Sequence, residues 1–537
     1  MNQSNLGLSG VNARRLFFGS CMSLISTSVA FGVITSMMGD FKSIFLLSSE
    51  QAGWVGGAAI WGFTISIFIF GPLVDILGMR RLMRFAMLCH FVGPIIMIKA
   101  SGFGMLFAGA LIIALANGTV EAVCNPLVAT IFPDNKTHKL NQFHVWFPGG
   151  IVIGGLLSFL IAQLGENFWA SMPLAAWQFK LVLILIPTVI YGVVFTGQKF
   201  PATERVQSGL SFGDMVKATL FRPLFIVLFI CMGLTASLEL GPNRWMDDVM
   251  KYPLSLTRLG GNAGILILVY GSGLMAILRY CAGPIVHRLS PTGLLLFSGI
   301  MGSLGLYSLS QAEGLIMIMI SATIFYIGVC YFWPTMLGTA AERIPKGGSL
   351  ALALLGGWGM AIVGLITAPM MGKIGDSYVH RQLEPQQQAV TQVISQGVPV
   401  LAKVKAAATK SNDVLDSSIE LVNKVNSKLA AGADLPPVDT AVALRAVVEF
   451  APKPADLEKN PGYTLEDAQV QQAAAQIIKP ADNYGGKLSF RWVSSVGIVL
   501  VIVFAVMYFR DKARGGYKVE KITAAPAAAQ KQPAQKV

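Results

Sequence analysis

The chain has 537 residues, 54% of them hydrophobic and 13% charged, with a mean hydropathy of +0.61 and a formal net charge of +13. Soluble domains carry about 25% charged residues, so the composition excludes an ordinary soluble protein and describes one embedded in a bilayer. The basic residues sit mostly at the ends of apolar runs, with no basic-aromatic patch, which argues against a nucleic-acid partner. All six cysteines (Cys21, Cys89, Cys124, Cys231, Cys281, Cys330) lie within apolar runs and form no disulfide framework or zinc spacing. Neither a cleavable signal peptide nor a transit sequence is evident, because the first apolar run is full length and leads directly into a second.

A spanning helix needs about 20 apolar residues. About twelve runs meet that measure, near 16–39, 51–76, 82–100, 104–132, 142–165, 176–198, 222–246, 260–285, 290–311, 314–340, 348–375 and 488–509. With the N-terminus inside, the inner connections hold most of the lysine and arginine, including Arg80, Arg81, Arg84, Lys136, Arg205 and Arg343. The outer connections hold only Lys42, Lys99, Lys180, Lys251 and Arg258, so both termini are expected in the cytoplasm.

The second run ends in GPLVDILGMRR, Gly71 to Arg81. Its glycines suit a tight turn between helices, Asp75 falls at a helix end, and Arg80 and Arg81 anchor the inner face. The fourth run places a carboxylate, Glu121, at membrane depth, where an acid costs roughly 2.5 kcal/mol or more and usually faces a cavity. Asn117, Glu121 and Asn125 are four apart and share a helix face, drifting about 40° per step. Pro126 frees a backbone carbonyl, which only buried or cavity-lining helix tolerates. After the polar loop Pro133–Lys139, the fifth run opens with Asn141, His144 and Trp146, and Pro148-Gly149-Gly150 permits a bend. This stretch reads as one wall of a solute cavity. The alternative for Glu121 is a buried hydrogen-bonder tying helices together, and for His144 a contact with headgroups or a backbone carbonyl.

Glu239 and Asn243 share a face near the outer end of the seventh run and either bind solute or pair with Arg244. Arg279 lies four residues before Gly283-Pro284, close enough to the inner end of its run to snorkel. Trp333 either stacks on a solute ring or packs in the helix, and lone His90 reads as structural. From about Ser377 to Gly486 the composition changes to alanine, glutamine, valine and balanced charges. Within it, Ser411 to Leu429 opens on helix-capping residues and spaces Val414, Leu415, Ile419, Val422, Val425 and Leu429 at helical intervals. Two or more amphipathic helices packed as an outer cap are expected, with a loose linker as the alternative. The last residues, AAPAAAQKQPAQKV, are low in complexity and read as disordered.

Gly71, Asp75, Gly78, Arg80 and Arg81 resemble the signature loop of the major facilitator superfamily, with Met79 where a first basic residue is usual. Gly71-Pro72 returns as Gly283-Pro284, and Pro133 as Pro345, both 212 residues on, with His287 at the place of Asp75. The resemblance implies two six-helix halves with the binding site between them near the midplane. Glu121, Asn125-Pro126, Leu140-Asn141 and Trp333-Pro334-Thr335 resemble the fucose/galactose/glucose:proton symporter branch. In that branch the fourth-span acid is implicated in sugar binding and proton coupling, which implies both roles for Glu121. Counting without gaps from Gln51-Ala52-Gly53, the branch's first-span acid position holds Thr35, and its fifth-span amide position holds His144.

The expected fold is therefore an all-α membrane protein with twelve transmembrane helices in two six-helix pseudo-repeats, and an α-helical extracytoplasmic insertion between helices 11 and 12. Its expected parts are an N-terminal bundle (1–198), a cytoplasmic linker (199–221), helices 7–11 (222–376), the insertion (377–486), helix 12 (487–510) and a disordered tail (511–537). The expected function is secondary transport of a small, sugar-like polar solute, with proton coupling through Glu121 because burial disfavours its charged form. A sodium-coupled or uncoupled carrier, and a receptor or scaffold working through its outer insertion, are the alternatives. Expected solute contacts are Asn117, Glu121, Asn125, Asn141, His144, Trp146, Glu239, Asn243 and Trp333. The expected partners are the solute, a proton or sodium ion and lipid, with no cofactor and no metal, the chain working as a monomer in a plasma membrane of bacterial inner-membrane type. No nucleophile elbow, metal cluster or phosphate loop suggests an enzyme, and no Walker sequence suggests ATP as the energy source.

Overall fold

The computed structural model describes residues 10–37, 41, 44–45, 49–164, 168–169, 171–255, 263–407, 413–458 and 460–521. Lys42, Arg258, the capping residues Ser411 and Asn412 and the low-complexity end lie outside these residues, as do the side chains of Lys251, His287 and Val414. The described secondary structure is helical. The first set is α1 (Ala13–Ser36), α2 (Ser49–Leu77), α3 (Met79–Ile98), α4 (Phe103–Ile131), α5 (Lys136–His144), α6 (Trp146–Gln163) and α7 (Ala176–Phe195). After a single turn at Glu204–Gln207 come α8 (Phe212–Leu220), α9 (Pro223–Ser255), α10 (Ala263–Tyr280), α11 (Ala282–Gln311), α12 (Gly314–Val329), α13 (Phe332–Arg343) and α14 (Gly348–Ile362). A π-helical turn at Val363–Thr367 leads into α15 (Ala368–Leu383), followed by α16 (Gln387–Ala407), α17 (Asp413–Ala430), α18 (Pro437–Phe450) and α19 (Leu465–Ala513). Among the described residues, ten helical stretches are long and apolar enough to cross a membrane.

The helices pack in two groups. In the first, α4 lies against α2 and α3, and α1 against α6 and α7; in the second, α11 lies against α12 and α19, and α9 against α14 and α19. The groups meet chiefly along α2 with α14, α4 with α14, α5 with α13 and α6 with α10, and α5 also touches α10 and α11. Small residues permit the approach. A side chain at Gly71 would collide with Ala353, and one at Gly338 would run into Thr137.

Proline explains the division of two of the expected runs. Pro148 has no N–H for the carbonyl of His144, four residues earlier, and the chain divides at Val145 into α5 and α6. Pro334 likewise leaves the carbonyl of Cys330 without a helical donor, and α12 and α13 separate at Cys330–Tyr331. By contrast α4 runs unbroken through Pro126. The loop expected at Pro133–Lys139 is shorter, because α5 begins at Lys136.

Residues 379–481 contribute to a second apolar core, separate from that of the spanning helices. Val390, Ile394 and Leu401 of α16 meet Val422 and Val425 of α17, Leu444 and Val447 of α18, and Ala474 and Ile478 of α19. Four helical segments thus close their apolar faces on one another, as the spacing in 411–429 demands. Arg445 ties this bundle to its stalk through Asp482 (2.7 Å) and Asp376 (3.0 Å). At 49 residues α19 is about 75 Å long, so it continues well past a hydrocarbon layer about 30 Å thick.

The residues just beyond α19 were expected to lack order, but the described part packs. Asp511 pairs with Arg343 at 2.7 Å, and the Arg343 guanidinium lies 4.2 Å from the centre of the Tyr517 ring. The Glu520 N–H donates to the Glu342 carbonyl at 2.8 Å, and its carboxylate pairs with Arg222.

Candidate functional site: a buried polar cluster above a closed end

The loop between α2 and α3 turns at Gly78, whose φ of 81° lies in the left-handed region that glycine enters without a Cβ penalty. Asp75, on the last turn of α2, has a fully buried side chain. It accepts from Arg205 Nε at 2.6 Å and from Thr203 Oγ1 at 2.5 Å, both in the segment joining the two groups of helices. Ser349, at the start of α14, approaches the same carboxylate at 3.5 Å. Arg80 and Arg81 are exposed. The second group reciprocates: Glu342 accepts from the Thr137 N–H at 3.0 Å, capping the N-terminus of α5. Lys136 donates to Glu204 (2.6 Å) and to the Ala341 carbonyl (3.3 Å). A cavity of about 30 Å³ between Pro126, Lys136, Glu204, Ala341 and Ser349 has room for a water or two. The two groups are therefore closed against each other at the Asp75 end.

Deeper in the molecule, Glu121 and Asn125 share one face of α4. Asn125 Nδ2 donates to Glu121 Oε2 at 2.5 Å and to the Glu121 carbonyl at 2.9 Å. His144, from α5, donates through Nε2 to Asn125 Oδ1 at 3.0 Å and places Nδ1 3.9 Å from Glu121 Oε1. The side chains of Glu121 and His144 are 3% and 2% exposed, so both are enclosed.

Facing them is Arg279 of α10. Its position near the end of its run suggested an outward-reaching side chain, but it turns inward and is only 3% exposed. Burial is possible because three acceptors converge on its planar fork. Nε donates to the Cys330 carbonyl (2.5 Å), one terminal nitrogen to the His144 carbonyl (3.1 Å), and the other to Glu239 Oε1 (3.0 Å). The first two acceptors are the carbonyls that Pro334 and Pro148 leave free. Glu239 therefore pairs with Arg279 rather than with Arg244, and its Oε2 is buried with no hydrogen-bond partner.

Of the expected solute contacts, the structure gathers Glu121, Asn125, His144 and Glu239 around Arg279. The others lie apart from that cluster or are already engaged. Asn117, one step further round α4, gives its oxygen to His90 Nε2 (2.7 Å), and His90 Nδ1 meets Tyr191 Oη (3.0 Å). The 40° drift per four residues accounts for this departure from the Glu121 face. Asn141 donates to the Thr137 carbonyl (3.0 Å) and, at 3.4 Å, to Thr335, while its Oδ1 is buried without a partner. Asn243 donates to the Glu239 carbonyl (2.8 Å) and accepts from Tyr326 (2.9 Å). The Trp146 carbonyl accepts from Ser28 at 3.0 Å. Trp333 lays its ring over Gly356 and Gly359 of α14, where any side chain would meet it.

Residue reading missed the roles of Arg279, Arg205 and Thr203. A signal existed for the first, an arginine inside an apolar run together with two prolines that each free a carbonyl. For Arg205 and Thr203 there was none beyond a basic residue in a connecting segment.

The comparisons with known proteins agree in kind. The family model described as Major Facilitator Superfamily matches residues 16–368. The D-xylose transporter of Levilactobacillus brevis is 25% identical over 174 residues, 32% of this chain and 36% of that protein. Polyamine transporter 3 of Saccharomyces cerevisiae is 23% identical over 221 residues, 38% of this chain and 35% of that protein. The chain thus spans about a third of the length of these curated relatives. The solved Escherichia coli fucose:proton symporter shares the fold with a TM-score of 0.54 at 18% identity, over 67% of this chain and 92% of that one.

Proposed function

The chain belongs to the Major Facilitator Superfamily, is a multi-pass membrane transporter rather than an enzyme, and within that family we propose that it carries a small, sugar-like polar solute by alternating access, with a proton coupled through Glu121. The observation that supports this best is the buried cluster of Glu121, Asn125 and His144, set against Arg279 and Glu239 where the two groups of helices meet. A carboxylate, an amide and an imidazole in one enclosed site offer both donors and acceptors, which hydroxyl-rich solutes match. The relatives named for D-xylose and fucose favour a sugar. The relative named for polyamines supports a second reading. Two carboxylates against one arginine leave the cluster net acidic when both are ionised, which suits an amine.

The proposed architecture has twelve spans in two halves, 1–198 and 222–376 with 487–510, joined by 199–221. The helical insertion 377–486 stands on the side opposite the Asp75 loop, with both termini cytoplasmic, in a plasma membrane of bacterial inner-membrane type. Asn117, Asn141, Trp146, Asn243 and Trp333 flank the cluster as candidate solute contacts in other states of the cycle. Asp75 with Gly71, Gly78, Arg80 and Arg81 forms the switch loop, and the monomer is the working unit.

The test is counterflow uptake into proteoliposomes of labelled pentoses, hexoses and polyamines, with and without proton and sodium gradients. Saturable exchange of a sugar, with accumulation driven by protons, is the expected result. Exchange of amines alone would establish the second reading. No exchange of any solute by correctly inserted protein would favour a receptor working through the outer bundle.

A further inference from the structure

Arg279 joins the two groups of helices by an arrangement that the polar cluster alone does not require. A buried guanidinium needs acceptors for its donors, and a proline in a spanning helix needs a donor for the carbonyl four residues earlier. Here one need answers the other twice, once in each group. Pro334 frees the Cys330 carbonyl in the group that also contains α10, and Arg279 Nε takes it at 2.5 Å. Pro148 frees the His144 carbonyl in the opposite group, and an Arg279 terminal nitrogen takes it at 3.1 Å. Glu239, on α9 beside it, supplies the counter-charge at 3.0 Å. Two of these three bonds therefore stay within the second group, and one crosses to the first.

The crossing bond belongs to the state closed at the Asp75 end. If the groups part at that end, α10 moves away from α5, the His144 carbonyl loses its donor, and Arg279 keeps Glu239 and Cys330. His144 is also the residue whose imidazole bonds Asn125 and stands beside Glu121. The crossing bond thus holds the backbone of the residue whose side chain completes the polar site. We infer that Arg279 is a positioning residue of the transport cycle, a fastener that holds the closed end by gripping the His144 carbonyl set free by Pro148, and that releases it on opening. This rests on the alternating-access reading, and the experiment below separates the two.

The measurement is the distance distribution between spin labels at Asn135→Cys and Lys346→Cys, both exposed and on opposite groups at the Asp75 end. The full chain is used, with its six native cysteines replaced. Arg279→Lys keeps a positive charge for Glu239 but lacks the planar fork that reaches several acceptors at once. It should raise the ratio of open to closed distances at least about tenfold, equivalent to about 1.4 kcal/mol. Pro148→Ala supplies the His144 carbonyl with a helical N–H and should shift the ratio in the same direction. Because both changes remove one bond, the double variant should shift little further than either alone, whereas independent effects would add. A parent showing both distances, with Arg279→Lys leaving their ratio unchanged or the two shifts fully additive, would overturn the fastener and leave alternating access standing. A parent holding a single distance in every lipid and solute condition would overturn alternating access, and the fastener with it.

Discussion

Glu121 and Glu239 are both buried carboxylates, yet their surroundings ask different things of them. Glu121 is held by an amide and lies beside an imidazole, partners that serve it in either protonation state. Glutamine fits the same space and bonds, so Glu121→Gln should fold normally. Gradient-driven accumulation should fall at least about tenfold while counterflow exchange persists, because only a step that needs the proton is lost. Undiminished accumulation in proteoliposomes would remove Glu121 from coupling. Glu239 instead neutralises Arg279, and Glu239→Gln leaves a buried guanidinium without its counter-charge. Removing one partner of a buried pair typically costs about 3–5 kcal/mol, so this variant should melt well below the parent in a detergent thermal scan. A melting point within a degree or two of the parent would mean that the two carbonyl acceptors satisfy Arg279 by themselves.

Among the helical elements, the Asp75 end joins two devices, close helix approach and exchanged carboxylates. Asp75 reaches the linker and the start of α14, and Glu342 reaches the start of α5. Asp75→Asn weakens charge-assisted bonds worth about 1.5–3 kcal/mol in the closed state without touching the polar cluster. Maximal transport rate should therefore drop about tenfold while half-saturation changes by less than about threefold. A large rise in half-saturation at an unchanged rate would place the loop's influence at the solute instead. Gly71→Leu acts on the other device, since its side chain would run into Ala353. It should insert and purify in detergent as the parent does, yet the Asn135–Lys346 label pair should lose its short distance. Retention of that distance would show that α2 and α14 can slide apart locally without opening the end.

Over the whole molecule, an apolar core of its own explains how the bundle at 379–481 relates to the rest. Its core draws on residues from Val379 to Ala481, and the spanning helices keep separate cores of their own. Replacing Val379–Asn483 with a short Gly/Ser linker removes one core and leaves the others intact. Loop-closure entropy changes by only about 0.6 kcal/mol per doubling of length, so the linker itself should not destabilise the spanning helices. Asn483 donates to the Val249 carbonyl, a bond the deletion sacrifices. The deletion protein should elute as a single species by size exclusion and keep part of its uptake. A stable, inserted deletion protein without binding or transport of any solute would move the functional centre to the deleted bundle.

The residues themselves determined much of what acts over one helical turn or one helix length. Apolar runs specify spans because unpaired backbone is too costly in hydrocarbon, and the spacing of Leu415, Val422, Val425 and Leu429 specifies an apolar face. Gly78 marks its turn and Pro148 its bend, because each effect reaches no further than four residues along the chain. Which groups meet across the molecule was decided only by the tertiary structure. Asn117 and Glu121 look equivalent along α4, but a rotation of some tens of degrees gives one to His90 and leaves the other beside His144. Asp75 finds Arg205 130 positions away, and Arg279 turns inward rather than outward because three acceptors from separate segments converge there. Side-chain direction at a helix end depends on where the neighbouring helices place their unpaired atoms, and that placement exists only once the bundle has packed.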